Sequence, residues 1–195
     1  MPDGLTLYCI RHGETDWNKE RRYQGQRDIP LNETGHKQAI KNGGKLAGLG
    51  LDLTSLDFVA SPLGRARETM EHIRAELGLP PKDYTTDARL KEVHYGVWEG
   101  QLLSELASRD PDSLLERRAD PFNWRPQEGE SYADLLTRAV SWLDTVSRDT
   151  VVVTHGGISR VLRCHALNLD PKTLLDLEVP QDRVLILEKD QMRWI

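Results

Sequence analysis

Short apolar runs alternate with longer stretches of helical periodicity along this chain. The runs span residues 5–10, 56–61 and 150–154, and each is followed by polar or turn residues, which is typical of buried strands. Apolar residues recur at helical spacing over residues 34–49, 64–77 and 132–146. Because parallel neighbouring strands need crossover helices, this pattern predicts an α/β fold, a three-layer α/β/α sandwich with a largely parallel central sheet.

The second half of the chain carries weaker signals. Residues 109–130 contain Pro111, Pro121 and Pro126, which predicts an irregular segment over one face. Residues 182–188 and 192–195 predict a late pair of strands. No linker or charge block divides the chain, so we expect one domain over residues 1–195, with a cap insertion at approximately 100–131 over the C-terminal ends of the strands.

Composition limits the classes of partner. The 195 residues include 26 Lys+Arg and 31 Asp+Glu, a formal net charge of −5 with 38% hydrophobic residues. Such a chain has no overall field to attract nucleic acid or an anionic membrane, so an anion would need a local cationic pocket. The chain has two isolated cysteines and no apolar stretch that approaches the ~18 residues of a membrane helix. We therefore expect a protein of the reducing cytoplasm.

Cationic and imidazole side chains follow all three predicted strands. R-H-G-E-T (11–15) follows the first, S-P-L-G-R (61–65) the second and H-G-G (155–157) the third. Ligands of open α/β sheets bind outside the carboxyl ends of the strands, so we expect two arginines and two histidines around one crevice. The backbone N–H of Gly156, where a helix begins, adds the positive end of the helix dipole. The sequence therefore predicts a phosphate site.

Four motifs in order resemble the histidine phosphatase superfamily, which includes phosphoglycerate mutases. They are R-H-G-E-T, S-P-L-G-R-A-R-E-T, L-K-E-V-H-Y-G-V-W-E-G and V-T-H-G-G, and they extend from the first strand to about residue 157. The resemblance implies that His12 is the nucleophile that takes the phosphoryl group and that Glu92 is the general acid. It further implies a set of ligands for phosphate and substrate: Arg11, Asn18, Arg65 and His155 for the phosphate, and Gln24-Gly25 for the substrate.

This chemistry sets requirements on the two histidines. His12 can attack only when its ring is neutral, with one ring N–H donating a hydrogen bond to a backbone carbonyl in the Gly13 turn. His155, beside a phosphate dianion, should instead be charged. Arginine suits the phosphate because its planar fork holds two oxygens and keeps its charge. No cofactor or metal is needed in this scheme, and no carboxylate or histidine cluster has metal-ligand spacing.

Three functions stay open from the sequence. The leading hypothesis is a metal-independent phosphatase acting on a small phosphorylated metabolite through a phosphohistidine, because G-Q-R-D-I-P-L, Y-G-V-W-E-G and G-E-S resemble the bacterial phosphatase branch. The alternative is a phosphoglycerate mutase, in which Arg117-Arg118 would bind the second anionic group of the substrate; their other interpretation is solvated cap residues. The third is a non-catalytic phosphate-binding protein.

The identity of the leaving group is a separate open question. The motifs specify only the phosphoryl group, so a phosphorylated protein side chain also fits them. His94 lies two residues from Glu92 and would line the same pocket if that stretch is extended. His36, His72 and His165 fall in helical patterns, where surface or packing roles are expected.

Overall fold

Residues 4–195, which the computed structural model describes, contain one sheet of six strands. The strands are β1 (Leu7–Arg11), β2 (Asp57–Ala60), β3 (Thr85–Thr86), β4 (Thr150–Thr154), β5 (Leu185–Glu188) and β6 (Gln191–Trp194). Their order across the sheet is β3-β2-β4-β1-β5-β6. The first four are parallel to one another, β5 pairs antiparallel with β1, and β6 pairs antiparallel with β5. The predicted α/β class with a largely parallel sheet is confirmed.

Helices cover both faces of this sheet. They are α1 (Asp16–Lys19), α2 (Glu33–Ala47), α3 (Gly64–Glu76), α4 (Leu103–Arg109), α5 (Pro111–Ala119), α6 (Tyr132–Leu143) and α7 (Gly156–Ala166). Short 3₁₀ turns lie at Leu53–Ser55, Ala88–Leu90, Gly96–Trp98 and Pro171–Asp176. The three predicted long helices thus form within three residues of their expected ends.

Alternation along the central strands divides the core into two layers. Leu7 and Cys9 of β1 pack with α6 and α7 on one face, while Tyr8 and Ile10 pack with α2 and α3 on the other. Successive side chains of a strand point to opposite faces, so one fully apolar strand can serve both layers. The sheet is therefore buried on both sides, as a three-layer sandwich requires.

The segment predicted to be irregular, residues 109–130, contains a helix instead. Pro111 occupies the first turn of α5, where the missing N–H costs nothing and the fixed φ favours a helix. The prolines were thus wrongly interpreted as markers of an irregular chain. After α5 the chain continues without helix or strand to Ser131, whose side chain caps α6 in a capping box with Asp134.

The late strand pair is confirmed as the antiparallel hairpin β5–β6, with β5 paired to β1. Across residues 4–195, no helix is long and apolar enough to span a membrane. The parallel strands β1, β2 and β4 lie next to one another. Their carboxyl ends therefore bring residues 11–12, 61–65 and 155–157 to the same edge of the sheet.

Candidate active site

His12 is almost completely buried just beyond the end of β1. Its Nδ1 lies 2.7 Å from the carbonyl oxygen of Gly13, and its Nε2 accepts a hydrogen bond from Arg65 Nε at 3.2 Å. A carbonyl can only accept and a guanidinium can only donate, so Nδ1 carries the proton and Nε2 carries the lone pair. The hydrogen bond to the Gly13 carbonyl is the one that the sequence predicts.

The surroundings of His12 keep its ring neutral. Burial is the largest cause that lowers its pKa well below the ordinary value, and the charges of Arg65 and Arg11 act in the same direction. A neutral imidazole whose Nε2 carries no proton is a nitrogen nucleophile at neutral pH.

Arg65, the second residue of α3, connects His12 to the loop of residues 24–27. Its Nη1 donates to the carbonyl of Arg27 at 2.6 Å and its Nη2 to the carbonyl of Gly25 at 2.8 Å, while its side chain is fully buried. Gly25 has a φ of +52°, which favours glycine. The family resemblance implies that Gln24-Gly25 binds the substrate; in the structure the carbonyl of Gly25 accepts a hydrogen bond from Arg65.

His155 follows β4 and lies beside His12, with the two ring centroids 5.1 Å apart. Its Nε2 is 2.7 Å from Ser61 Oγ, and its buried Nδ1 has no hydrogen-bond partner. Burial, Arg65 and His12 lower its pKa well below the ordinary value. The charged form expected for His155 refers to the phosphate-bound state, in which a dianion would oppose these effects.

Arg11 ends β1 on the same side. Its Nη1 donates to the carbonyl of Val179 at 2.9 Å, and its buried Nε has no partner. Burial lowers the pKa of Arg11 to about 10, so the guanidinium stays charged at neutral pH. Arg11 and His155 thus each bring a buried, unpartnered nitrogen to the surroundings of His12, which fits a site that binds an anion.

Glu92 lies at the N-terminus of α7. Its two carboxylate oxygens accept from the N–H of Gly157 at 3.0 and 3.2 Å, and one also accepts from the N–H of Val93 at 2.9 Å. A Cβ placed on Gly156 would lie 3.6 Å from Arg160 Nη1 and 3.8 Å from both Arg11 Nε and Glu92 Oε2. The candidate acid, Arg11 and Arg160 therefore converge on the start of this helix.

Asn18 presents its amide nitrogen as a donor. Its Oδ1 accepts from the N–H of Thr15 at 3.2 Å and from Gln181 Nε2 at 3.1 Å, so the oxygen is already engaged. Gln181 Nε2 also donates to the carbonyl of His12 at 3.0 Å. This arrangement suits the phosphate-ligand role predicted for Asn18.

A cavity of about 410 Å³ opens beside these groups. It is lined by five arginines, three tyrosines, an asparagine and two leucines: Arg11, Asn18, Arg21, Arg22, Tyr23, Tyr95, Leu103, Arg117, Tyr132, Arg160 and Leu175. A larger cavity of about 530 Å³ lies at the β2–β3 edge of the sheet and includes none of the candidate residues. Of these two cavities, the cationic one contains candidate residues, namely Arg11, Asn18 and Arg117.

Of the two arginines Arg117-Arg118, one lines the cavity and the other does not. Arg117 is half-buried in the cavity, donates to the hydroxyl of Tyr23 at 3.0 Å and has an unpartnered Nε. Arg118 is exposed and does not line the cavity. Consecutive residues of a helix point about 100° apart, so the two side chains leave α5 in different directions.

Two further expectations differ in detail. Gln24 is buried with an unpartnered Oε1, but it does not line the cavity. His94 does not line it either, and its Nδ1 accepts a hydrogen bond from the N–H of Gly96 at 3.1 Å. A 3₁₀ turn begins at Gly96, whose φ is +53°.

Sequence reasoning missed several residues around the site. Arg160 and Tyr23 line the cavity, Ser61 contacts His155, and Gln181 contacts His12 and Asn18. Ser61 belongs to a motif at a strand end, which was a usable signal, whereas Arg160 and Gln181 have no signal apart from the fold. Within residues 4–195, no group of three or more His, Cys, Asp or Glu side chains is arranged to hold a metal ion.

Comparison with known proteins gives one consistent family. The family model for the histidine phosphatase superfamily (branch 1) matches residues 7–195. The chain is 31% identical to an Erwinia tasmaniensis protein named "probable phosphoglycerate mutase GpmB", over 98% of this chain and 88% of that protein. With a Citrobacter koseri protein of the same name it shares 38% identity over 69% of this chain, and it spans only 59% of that relative's length.

Solved structures include phosphatases with the same fold. A mycobacterial glucosyl-3-phosphoglycerate phosphatase, solved in complex with VO3, has a TM-score of 0.80 and 30% identity over 98% of this chain and 96% of that one. YhfR from Bacillus stearothermophilus has a TM-score of 0.80 and 34% identity over 95% and 91% of the two chains.

Proposed function

Because the chain belongs to the histidine phosphatase superfamily, we propose that it is a phosphatase that hydrolyses a small phosphorylated metabolite through a phosphohistidine on His12, without a metal. The observation that carries this proposal is the state of His12. Its Nδ1–H is engaged by Gly13, its Nε2 is free of a proton, and two arginines and a second histidine surround it.

The first step is displacement at phosphorus. Nε2 of His12 forms the new P–N bond while the ester P–O bond breaks, and Glu92 in its acid form gives a proton to the departing oxygen. Arg11, Arg65 and charged His155 stabilise the oxygens of the in-line transition state. A single general acid supplies only about 10²–10⁴ of an acceleration that reaches ~10²¹ for phosphate monoesters, so positioning and fixed charge supply most of it.

The second step returns the enzyme to its starting state. The Glu92 carboxylate takes a proton from water as the water oxygen attacks phosphorus and the P–N bond breaks. Phosphate then leaves, and Nε2 of His12 recovers its lone pair. The same carboxyl group thus acts as an acid and then as a base.

The substrate's remaining part would occupy the cationic cavity, where Arg117 and Tyr23 contact it. A volume of about 410 Å³ suits a metabolite. The chain's similarity to a glucosyl-3-phosphoglycerate phosphatase, which acts on a phosphorylated small molecule by its name, supports this class of substrate. Two free, buried cysteines, Cys9 and Cys164, support our further proposal of a reducing cytoplasmic location.

A mutase is the second candidate. It is favoured by the placement of Arg117 in the cavity with an unpartnered Nε, and by the relatives named as mutases. The exposed position of Arg118 weighs against it, because a mutase would use the pair to hold the substrate's second anionic group.

The test follows both products of one assay. The protein is incubated with 3-phosphoglycerate and with a panel of phosphorylated metabolites, and free phosphate and 2-phosphoglycerate are measured together. We expect phosphate without isomer, and we expect His12→Ala to abolish phosphate release and covalent labelling, while the exposed His165→Ala retains both. Isomer formed faster than phosphate would establish the mutase, and full turnover by His12→Ala would refute the phosphohistidine.

A further inference from the structure

The segment that carries Glu92 has little regular structure of its own. A 3₁₀ turn ends at Leu90, another begins at Gly96, and no helix or strand spans the residues between them. The carboxyl group of Glu92 must nevertheless sit within hydrogen-bond distance of a leaving-group oxygen, because general acid catalysis depends on that geometry. Something other than helix or strand pairing therefore has to fix this segment.

Arg138 of α6 binds the backbone of this segment at three carbonyl groups. Its Nη1 donates to Arg89 O and Lys91 O, both at 2.6 Å, and its Nη2 donates to the carbonyl of Glu92 itself at 2.9 Å. Three contacts to one irregular segment, from a side chain on a packed helix, hold its position relative to the core.

Glu130 completes the arrangement. Its carboxylate accepts from Arg138 Nε at 2.7 Å and from Nη2 at 2.9 Å, and it also accepts from the N–H of His94 at 3.0 Å. The N–H of Glu130 in turn donates to the carbonyl of His94 at 2.8 Å. Both sides of the segment around Glu92 are thereby tied to the same ion pair.

The donor count is specific to arginine. A guanidinium has five N–H donors in a fixed fork, and Arg138 makes five hydrogen bonds, three to carbonyls and two to Glu130. A lysine has three donors on one nitrogen and cannot span these acceptors. The side chains of Arg138 and Glu130 are 19% and 21% exposed, so solvent screens this pair only in part.

We propose that Arg138 is a positioning residue that, through Glu130 and the backbone of residues 89–94, holds the Glu92 carboxyl group in place for proton transfer to the leaving group. This inference rests on the proposed function, in which Glu92 is the general acid. Displacement of a catalytic group by about 1 Å can cost 10²-fold in rate, so loosening this segment should weaken acid catalysis while the phosphate ligands stay in place.

The test compares two leaving groups. p-Nitrophenolate departs without a proton, whereas phenolate, whose conjugate acid resembles tyrosine with a pKa of about 10, benefits from protonation. The parameter is kcat/KM, which covers the steps through departure of the alcohol. For Arg138→Met we expect kcat/KM for phenyl phosphate to fall about 10–100-fold and that for p-nitrophenyl phosphate less than threefold.

The matched control is Arg125→Met. Arg125 also forms an ion pair with a carboxylate of α6, Asp134 at 2.6 Å, but it is 58% exposed and does not contact the Glu92 segment. We expect this variant to keep both kcat/KM values. Equal losses on the two substrates by Arg138→Met, or no loss on either, would overturn the proposal, because a general structural defect does not select among leaving groups.

Two further variants separate the possible failures. Arg138→Lys keeps the charge but not the fork; we expect the same leaving-group selectivity at smaller size, and it serves if Arg138→Met does not fold. Glu92→Gln should show the selectivity in full, and Arg138→Met should add no further selective loss to it. If Glu92→Gln shows no selectivity, the general acid assignment fails. If only the Arg138 variants lack selectivity, the positioning role alone fails.

Discussion

At the scale of single residues, His12 and His155 share one environment and have different tasks. Burial and the neighbouring arginines lower the pKa of both rings, which suits a nucleophile. For His155 we expect the neutral ring only in the anion-free protein, because a bound dianion favours the imidazolium and its additional N–H donor. Charge at His155 is therefore expected to accompany binding.

Sulfate binding tests this expectation. Sulfate resembles the phosphate dianion but does not titrate near neutrality, so the pH dependence of its affinity reports the protein. The pKa of His155 lies below its ordinary value in the free protein and is raised by the anion, so binding takes up a proton and affinity should increase from about pH 8 to about pH 6. Calorimetry should show this slope in the native protein.

The control variants assign the slope to one ring. His155→Gln should remove it, because glutamine keeps polar contact without titrating, whereas His165→Ala, an exposed change on α7, should retain it. A slope that survives His155→Gln would place the proton elsewhere, with His12 the next group to substitute.

The residues found from the sequence are those whose placement depends on strand ends. His12, Arg65 and His155 follow three parallel strands, so the topology alone brings them together. Arg138 and Gln181 could not be found in this way. Each forms side-chain hydrogen bonds to residues more than 40 positions away in the sequence. In the sequence, an arginine on a helix or a glutamine in a loop cannot be distinguished from an ordinary surface residue.

At the scale of elements, the start of α7 allows no side chain on the glycine that holds Glu92. A Cβ on Gly157 would lie 2.3 Å from Glu92 Oε1 and 3.0 Å from Leu135 Cδ2. The N–H of the same residue donates to the Glu92 carboxylate. A single glycine therefore provides both the space for the candidate acid and a hydrogen bond to it.

Substitution at this glycine should displace the acid. We expect Gly157→Ala to lower kcat on an alkyl phosphate by about 10²-fold, the low end of the contribution of a general acid. Gly44→Ala is the matched control, since a Cβ at this position in α2 meets nothing within 4 Å. Alanine there should raise the free energy of unfolding by about 0.5–1 kcal/mol and leave kcat unchanged.

Urea unfolding and steady-state kinetics on both alanine variants provide the measurement. An active Gly157→Ala enzyme would mean that Glu92 tolerates displacement, contrary to its assigned role.

Elements with strong periodicity were predictable, and short ones were not. The spans of α2, α3, α6 and β4 follow from spacing that repeats over several turns or from an unbroken apolar run. Strand β3 has only two residues, Thr85–Thr86, both exposed at the sheet edge, so no hydrophobic pattern marks it. Helix α5 was missed because Pro111 has opposite meanings inside a helix and at its first turn.

At the scale of the whole molecule, a chain with a net charge of −5 contains a cavity lined by five arginines. The sequence predicted a local cationic pocket in an acidic protein, but not its position over α1, α5 and α7. The order of the strands could not be predicted from the sequence either, because β4 lies next to both β1 and β2 through long-range pairing.

The proposal that arginines, and not a metal ion, supply the positive charge of the site can be tested on the intact enzyme. We expect prolonged dialysis against EDTA to leave kcat/KM unchanged, and we expect vanadate, which can adopt the trigonal-bipyramidal geometry of the transferring phosphoryl group, to inhibit strongly. Activity lost with EDTA and restored by a divalent cation would show that a metal supplies part of the charge.

The position of β1 between β4 and β5 has a consequence for protein synthesis. Both sheet neighbours of β1 are synthesised more than 130 residues after it, and Arg11 and His12 make hydrogen bonds to the similarly late residues Val179 and Gln181. A nascent chain that has not yet reached these residues keeps the apolar run Leu7–Ile10 without pairing partners. Such a chain should remain inactive and depend on chaperones until β4, β5 and residues 179–181 have been synthesised.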